Sequence, residues 1–265
     1  MVLHSEIKIL LLVFLFSSTA QAIEIKSLSH AVDIAGKQRM FTQKMLKDYA
    51  MIGLNNRFGN PQADLNQTII SFENHMQSLY DFNKDESTAT SIKEAMALWR
   101  PIKQTLSEAT TKDKAAKLQI DLDALLKVAN DTTVLFAKQT GKASGEIINI
   151  SGVQRMLSQR MAGLYMLKTW GISDPKFQEK MTKTMDLFRT SQKKLMANMK
   201  NTGEISNLLK KVKKAFAYFE FMKDSEVFIP SLIYKKSTEM LKDMNTVTGL
   251  YVKTETIRAT PSKEK

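Results

Sequence analysis

Arg39 and Arg155 stand 116 residues apart in nearly the same phrase, VDIAGKQRMFTQKM from Val32 to Met45 and INISGVQRMLSQRM from Ile148 to Met161. A guanidinium is a rigid fork of donors that matches planar oxyanions. Wound on a helix at about 100° per residue, Gly152, Met156, Gln159 and Gly163 share one narrow face, with Asn149 and Arg155 at its margins. The first copy puts Asp33, Gly36, Met40, Gln43 and Lys47 on that face, with Arg39 at the edge. A glycine turned inward lets a second backbone come close. Gln43 and Gln159 each offer an amide that donates or accepts, and Met40 and Met156 supply a soft apolar wall. If the two copies pack about a pseudo-twofold axis, Arg39 and Arg155 approach each other. Two guanidinium groups there repel unless an anion lies between them, and a small anion with several acceptor oxygens would satisfy both forks. The alternative is that each arginine pairs locally with a carboxylate and the glycine–glutamine pattern is plain packing.

The elements that must carry these residues repeat as well. At the same offset Tyr49 meets Tyr165, Thr68 meets Thr184, Phe72 meets Phe188 and Leu79 meets Leu195; LLKVANDTTVLF falls opposite EMLKDMNTVTGLY at nearly that offset. A self-similarity of this length defines two copies of one unit, 28–140 and 144–255. Apolar residues at helical spacing predict four helices in each unit, near 28–56, 64–82, 88–108 and 115–140, then near 145–171, 175–200, 204–223 and 228–255. Breaks at NNRFGNP, NKDESTA, SEATTKD, GISDP, KNTGE and KDSEVFIP have turn compositions. The fold class is therefore all-α, two tandem up-and-down four-helix bundle units. Pro61 and Pro175 sit near helix starts, whereas Pro101 predicts a kink or an interruption. Between the units, KQTGKASGE favours a nearly continuous rod. Residues 256–265 lack an apolar pattern and are expected to be a disordered tail.

Composition narrows the classes. There is no cysteine, so no disulfide or thiolate metal site. His30 and His75 have no partner at ligand spacing and read as surface or helix-edge residues; with no paired acids suited to proton transfer, neither an enzyme nor a cofactor is expected. The 16 methionines form no dense Met-x-x-Met run and read as core. A net charge of +12 attracts anions. The segment IKILLLVFLFSSTAQA, ending in the small-x-small site Ala20-Gln21-Ala22, reads as a secretory signal peptide over 1–22 cleaved after Ala22. Export to the periplasm argues against a nucleic-acid partner and leaves small anions or acidic surfaces, with a merely solvated basic surface as the plain alternative.

The phrase INISGVQRMLSQRMA, Ile148 to Ala162, resembles the N-terminal domains of type IV pili methyl-accepting chemotaxis transducers, and also the sensor domains of nitrate/nitrite sensor histidine kinases. The second copy carries the asparagine, glycine, arginine, methionine and glutamine of that pattern; the first departs at Asp33, Lys37, Phe41 and Lys44. The resemblance implies an extracytoplasmic sensing bundle acting with a membrane sensor kinase or chemoreceptor. It implies nitrate or nitrite held between Arg39 and Arg155, with Gly36 and Gly152 as the close-approach positions. The tandem chain would be a one-chain version of a sensor dimer, and one lacking a transmitter of its own. Asp33, standing where the pattern has asparagine, is expected to neutralise Arg39. A non-enzymatic scaffold without a ligand is the competing reading.

Overall fold

The computed structural model describes residues 23–141 and 143–259. Eight helices follow in order: α1 (Leu28–Gly53), α2 (Pro61–Phe82), α3 (Glu86–Ser107), α4 (Lys112–Gln139), α5 (Ala143–Thr169), α6 (Phe177–Met196), α7 (Gly203–Met222) and α8 (Pro230–Ala259). Starts are set by side-chain caps that satisfy the first free amides. Ser27 accepts from the His30 amide, Asp85 from Thr88, Thr111 from Lys114 and Thr202 from Ile205. Pro61 opens α2, where its missing N–H costs nothing.

α1–α4 form one four-helix cluster and α5–α8 the other. Within each, the first helix packs against the second and fourth, while the second and third meet only lightly. The most extensive contact in the molecule joins α1 to α5. These two run parallel: Gly36 faces Gly152, Gly163 faces the Lys47 amide, and Gly53 meets the Trp170 ring. Equivalent positions thus lie opposite each other across a pseudo-twofold axis running along the helices. Double coverage explains their composition. From Ala31 to Met51 only Lys37 and Lys44 escape burial, and from Ser151 to Leu167 only Val153, Met156 and Arg160 do. A helix buried on all sides is a core helix rather than a surface one.

The repeat extends to individual bonds. Gln38 Nε2 donates to the Phe72 carbonyl at 3.0 Å and Gln154 Nε2 to that of Phe188 at 2.8 Å. Phe72 packs on Trp99 and Phe188 on Phe216, both at 4.5 Å between centroids. The hydroxyls of Tyr49 and Tyr165 accept from the Thr111 and Ile229 amides, tying the first helix of each unit to a loop at the far end.

Three expectations change. α3 is not interrupted at Pro101, which lies on the solvent side, where water can satisfy the carbonyl it leaves without a donor. α4 and α5 are separate helices, because Gly141 takes a left-handed φ of 61° between them. α8 continues to Ala259, beyond the expected end of the second unit. The proposed leader, residues 1–22, and residues 260–265 lie outside the described residues. No described helix is long and apolar enough to cross a membrane.

Candidate functional site

Parallel packing of α1 on α5 brings the two arginines together at the Gly36–Gly152 crossing. A methyl group placed on Gly36 would lie 3.1 Å from Arg155 Nη2 and 3.3 Å from Arg39 Nη2. One on Gly152 would lie 3.0 Å from Arg39 Nη2 and 3.2 Å from Arg155 Nη2. Both guanidinium groups therefore fill the space that two absent side chains leave. They are 1% and 0% exposed, the largest fully buried side chains among the described residues.

Each arginine reaches across the axis to the other unit. Arg39 Nη1 donates to Asn149 Oδ1 at 2.8 Å and Nη2 to the Asn149 carbonyl at 3.2 Å. Arg155 Nη1 donates to Asp33 Oδ1 at 2.7 Å and Nη2 to the Asp33 carbonyl at 3.2 Å. A third acceptor comes from the fourth helix of the arginine's own unit: Asn130 Oδ1 at 3.0 Å for Arg39, and Asn245 Oδ1 at 3.3 Å for Arg155. Asp33 therefore neutralises Arg155 rather than Arg39, because in parallel helices each fork points back along its partner, to a residue before the arginine's own register position. Among the described residues Arg39 has only neutral oxygens as partners. Burial first, and the Arg155 charge second, push its pKa down to about 9, so it still carries its charge at neutral pH. The Nε of both arginines is buried without an acceptor. Asp33 is held below the usual carboxylate range: burial opposes this, but Arg155 and Lys37, the latter 3.2 Å away, outweigh it.

Not every expected residue joins the site. Arg39, Arg155, Gly36, Gly152 and Asn149 converge on it. Gln43 and Gln159 lie one turn further on with other partners: Gln43 Nε2 donates to Thr42 and its Oε1 accepts from Arg160, while Gln159 Nε2 donates to Ser158 and the Ser237 carbonyl. Met40 is buried in the core, and Met156 is partly buried against it. A small, mostly apolar cavity in the first unit is lined by residues that include Ala35, Gln38 and Phe72, but by neither guanidinium. Asn130 and Asn245 were not anticipated, although they align in the repeated fourth-helix phrases. His75 is 7% exposed and packs on Phe41 rather than lying at the surface, and burial lowers its pKa to about 4.

A second buried polar group has no counterpart in the other unit. Lys47, 0% exposed, sits 4.0 Å over the Tyr234 ring and 3.5 Å from Asp48 Oδ1. Asp48 pairs with Lys44 at 2.7 Å, and Tyr234 donates to Asp64 at 2.6 Å. Burial lowers the Lys47 pKa to about 8. Gly163 and Leu164 occupy the equivalent places in α5; the glycine lets the α1 backbone approach, with the Lys47 amide 3.5 Å from where a Cβ would stand. No cluster of three metal-ligating residues exists among the described residues.

A parallel pair of buried core helices, each flanked by three more and meeting through a repeated Gly-x-x-Arg phrase, is the frame of this site. Residues 23–124 and 136–216 match the family PilJ, type IV pili methyl-accepting chemotaxis transducer N-term, and the chain belongs to that family. Sensor domains of this family are non-catalytic, typically periplasmic, and act with membrane signalling receptors or kinases. Comparison with curated proteins and with solved structures gave no match.

Proposed function

We propose that this chain is an exported sensor module that takes one small oxygen-bearing anion at the α1–α5 joint and reports it to a membrane signalling partner. Nitrate and nitrite lead the candidates through the resemblance to nitrate/nitrite sensor kinases; the residues themselves ask for nothing narrower than a small oxyanion. The observation that carries the reading is Arg39, a buried guanidinium with no carboxylate partner among the described residues. An uncompensated buried charge is costly, and an anion that reached it would be bound strongly. Asp33 already supplies one carboxylate to the joint, so the remaining demand is for a single negative charge. Asn149 and Asn130, which now accept from Arg39, would have to yield.

Calorimetry and thermal melting with nitrate, nitrite and chloride test this. Arg39→Lys should bind poorly, since an ammonium lacks the planar fork. Asp33→Asn should bind more tightly, because it frees the second fork. Absence of binding to the wild type, or an Arg39→Lys variant that binds as well, would sink the reading. The scaffold reading would then stand, and it has support of its own: the Asp33–Arg155 ion pair and the Asn149–Arg39 bonds already stitch the two units together.

A further inference from the structure

We propose that the groove between α6 and α7 docks an acidic amphipathic helix of a partner protein. The proposal starts from an asymmetry between two copies of one scaffold. Residues 176–223, which hold α6 and α7, contain 12 Lys or Arg against 4 Asp or Glu. The equivalent stretch of the first unit, 60–107, contains 4 against 6. Of the net +12 of the chain, this stretch alone contributes +8, whereas its counterpart contributes −2. A general need for solubility would not place charge so unevenly.

The same face holds a groove of about 820 Å³. Met196, Ala197, Phe216 and Ala217 form its apolar part, and Arg189, Lys193 and Lys213 stand along its rims. Arg189 bonds to Glu220 at 2.9 Å and closes one end. Neither Lys193 nor Lys213 pairs with a carboxylate among the described residues, so both are available to a partner. In the first unit Gln77 and Asp81 replace Lys193 and Ala197, and Trp99 donates to Glu73 across the corresponding gap. The repeated architecture leaves the second and third helices lightly packed in both units, but only the second unit gives that opening a cationic rim.

The shape selects the occupant. Phe216 is 4% exposed and lies at the bottom of the groove. A flat anionic bilayer would meet the lysines but could not reach it. A helix could insert apolar side chains at i, i+3 and i+7 and flank them with glutamates facing Lys193 and Lys213. The inference is independent of the anion site, which lies between α1 and α5.

The test uses the chain with three probes: a stapled helical peptide with leucines on one face and glutamates beside them, the same peptide with lysines replacing the glutamates, and phosphatidylglycerol vesicles. The acidic peptide should bind, weaken as salt rises, and protect amides of α6 and α7 but not of α2 and α3 from hydrogen exchange. Lys193→Glu combined with Lys213→Glu should weaken it about tenfold or more, with melting unchanged because both side chains are exposed. Binding of both peptides alike, no binding of the acidic one, indifference to the double charge reversal, or capture by vesicles in place of the peptide would each overturn the proposal.

Discussion

Replacing Arg155 with methionine should cost far more stability than the same change at Arg39, although the two side chains are equally buried. Methionine fills most of the vacated volume in both cases, so the contrast isolates polar terms. Arg155→Met leaves the Asp33 carboxylate, 7% exposed, with Lys37 at 3.2 Å as its remaining ion-pair partner. Breaking one side of a buried pair costs about 3–5 kcal/mol. Arg39→Met instead orphans neutral amide oxygens on Asn149 and Asn130, at about 1–3 kcal/mol each. It also removes a charge whose pKa burial has driven down to about 9. That relief opposes the loss and is of similar size, on the order of a few kcal/mol. In a chain of this length about 1 kcal/mol moves a melting point by about 2–4 °C. Arg155→Met should therefore melt about 10 °C below the wild type or lower, and Arg39→Met within a few degrees of it. Melting followed by circular dichroism at pH 7 in chloride, without other anions, reads both. Equal losses, or the larger loss at Arg39, would mean that Asp33 does not divide the two arginines as described.

Other outcomes follow from neighbouring groups. His75 has a folded pKa of about 4 against 6.5 unfolded. The unfolded chain binds the extra proton between those values, so its contribution is full above about pH 6.5 and lost as pH falls through 4, by about 3 kcal/mol; His75→Phe should flatten that part of a denaturant-stability profile. Lys47, lowered to about 8 from 10.5, should make stability rise from about pH 8 to 10.5, and Lys47→Met should abolish the rise. Gly152→Ala puts a methyl 3.0 Å from Arg39 Nη2 and 3.2 Å from Arg155 Nη2, so both forks must shift; melting should fall and anion binding should weaken together, and an unchanged variant would show the crossing to be looser than described. N-terminal sequencing of exported protein should begin at Ile23; a product starting at Met1 would defeat the proposed leader.

The outer helices were legible because burial on one face enforces a period, and α1 and α5 because a phrase repeated 116 residues apart implies a repeated fold. Arg39, Arg155, Gly36 and Gly152 were found the same way. What the sequence could not reveal was direction. Periodicity gives the face that a side chain occupies, not the partner helix's polarity, and only the parallel course of α1 and α5 turns Asp33 toward Arg155. Asn130 and Asn245 escaped notice because an asparagine amid an apolar stripe resembles any tolerated polar residue until the arginine it satisfies is in view. The charge asymmetry was hidden inside a single net value.

Fusion of the two units through Thr140 and Gly141 has a consequence for how this joint can change over generations. In a sensor made of two identical subunits, every substitution appears on both sides of the axis at once. A carboxylate introduced at one arginine would necessarily appear at the other, and both forks would be quenched together. Joined in one chain, the halves are released from that constraint: Asp33 faces Arg155 while Asn149 faces Arg39. The linkage also forbids subunit exchange, so a defective half cannot poison a pool of sound partners. Each half is free to specialise, one toward setting the charge at the joint and the other toward the basic face of α6 and α7.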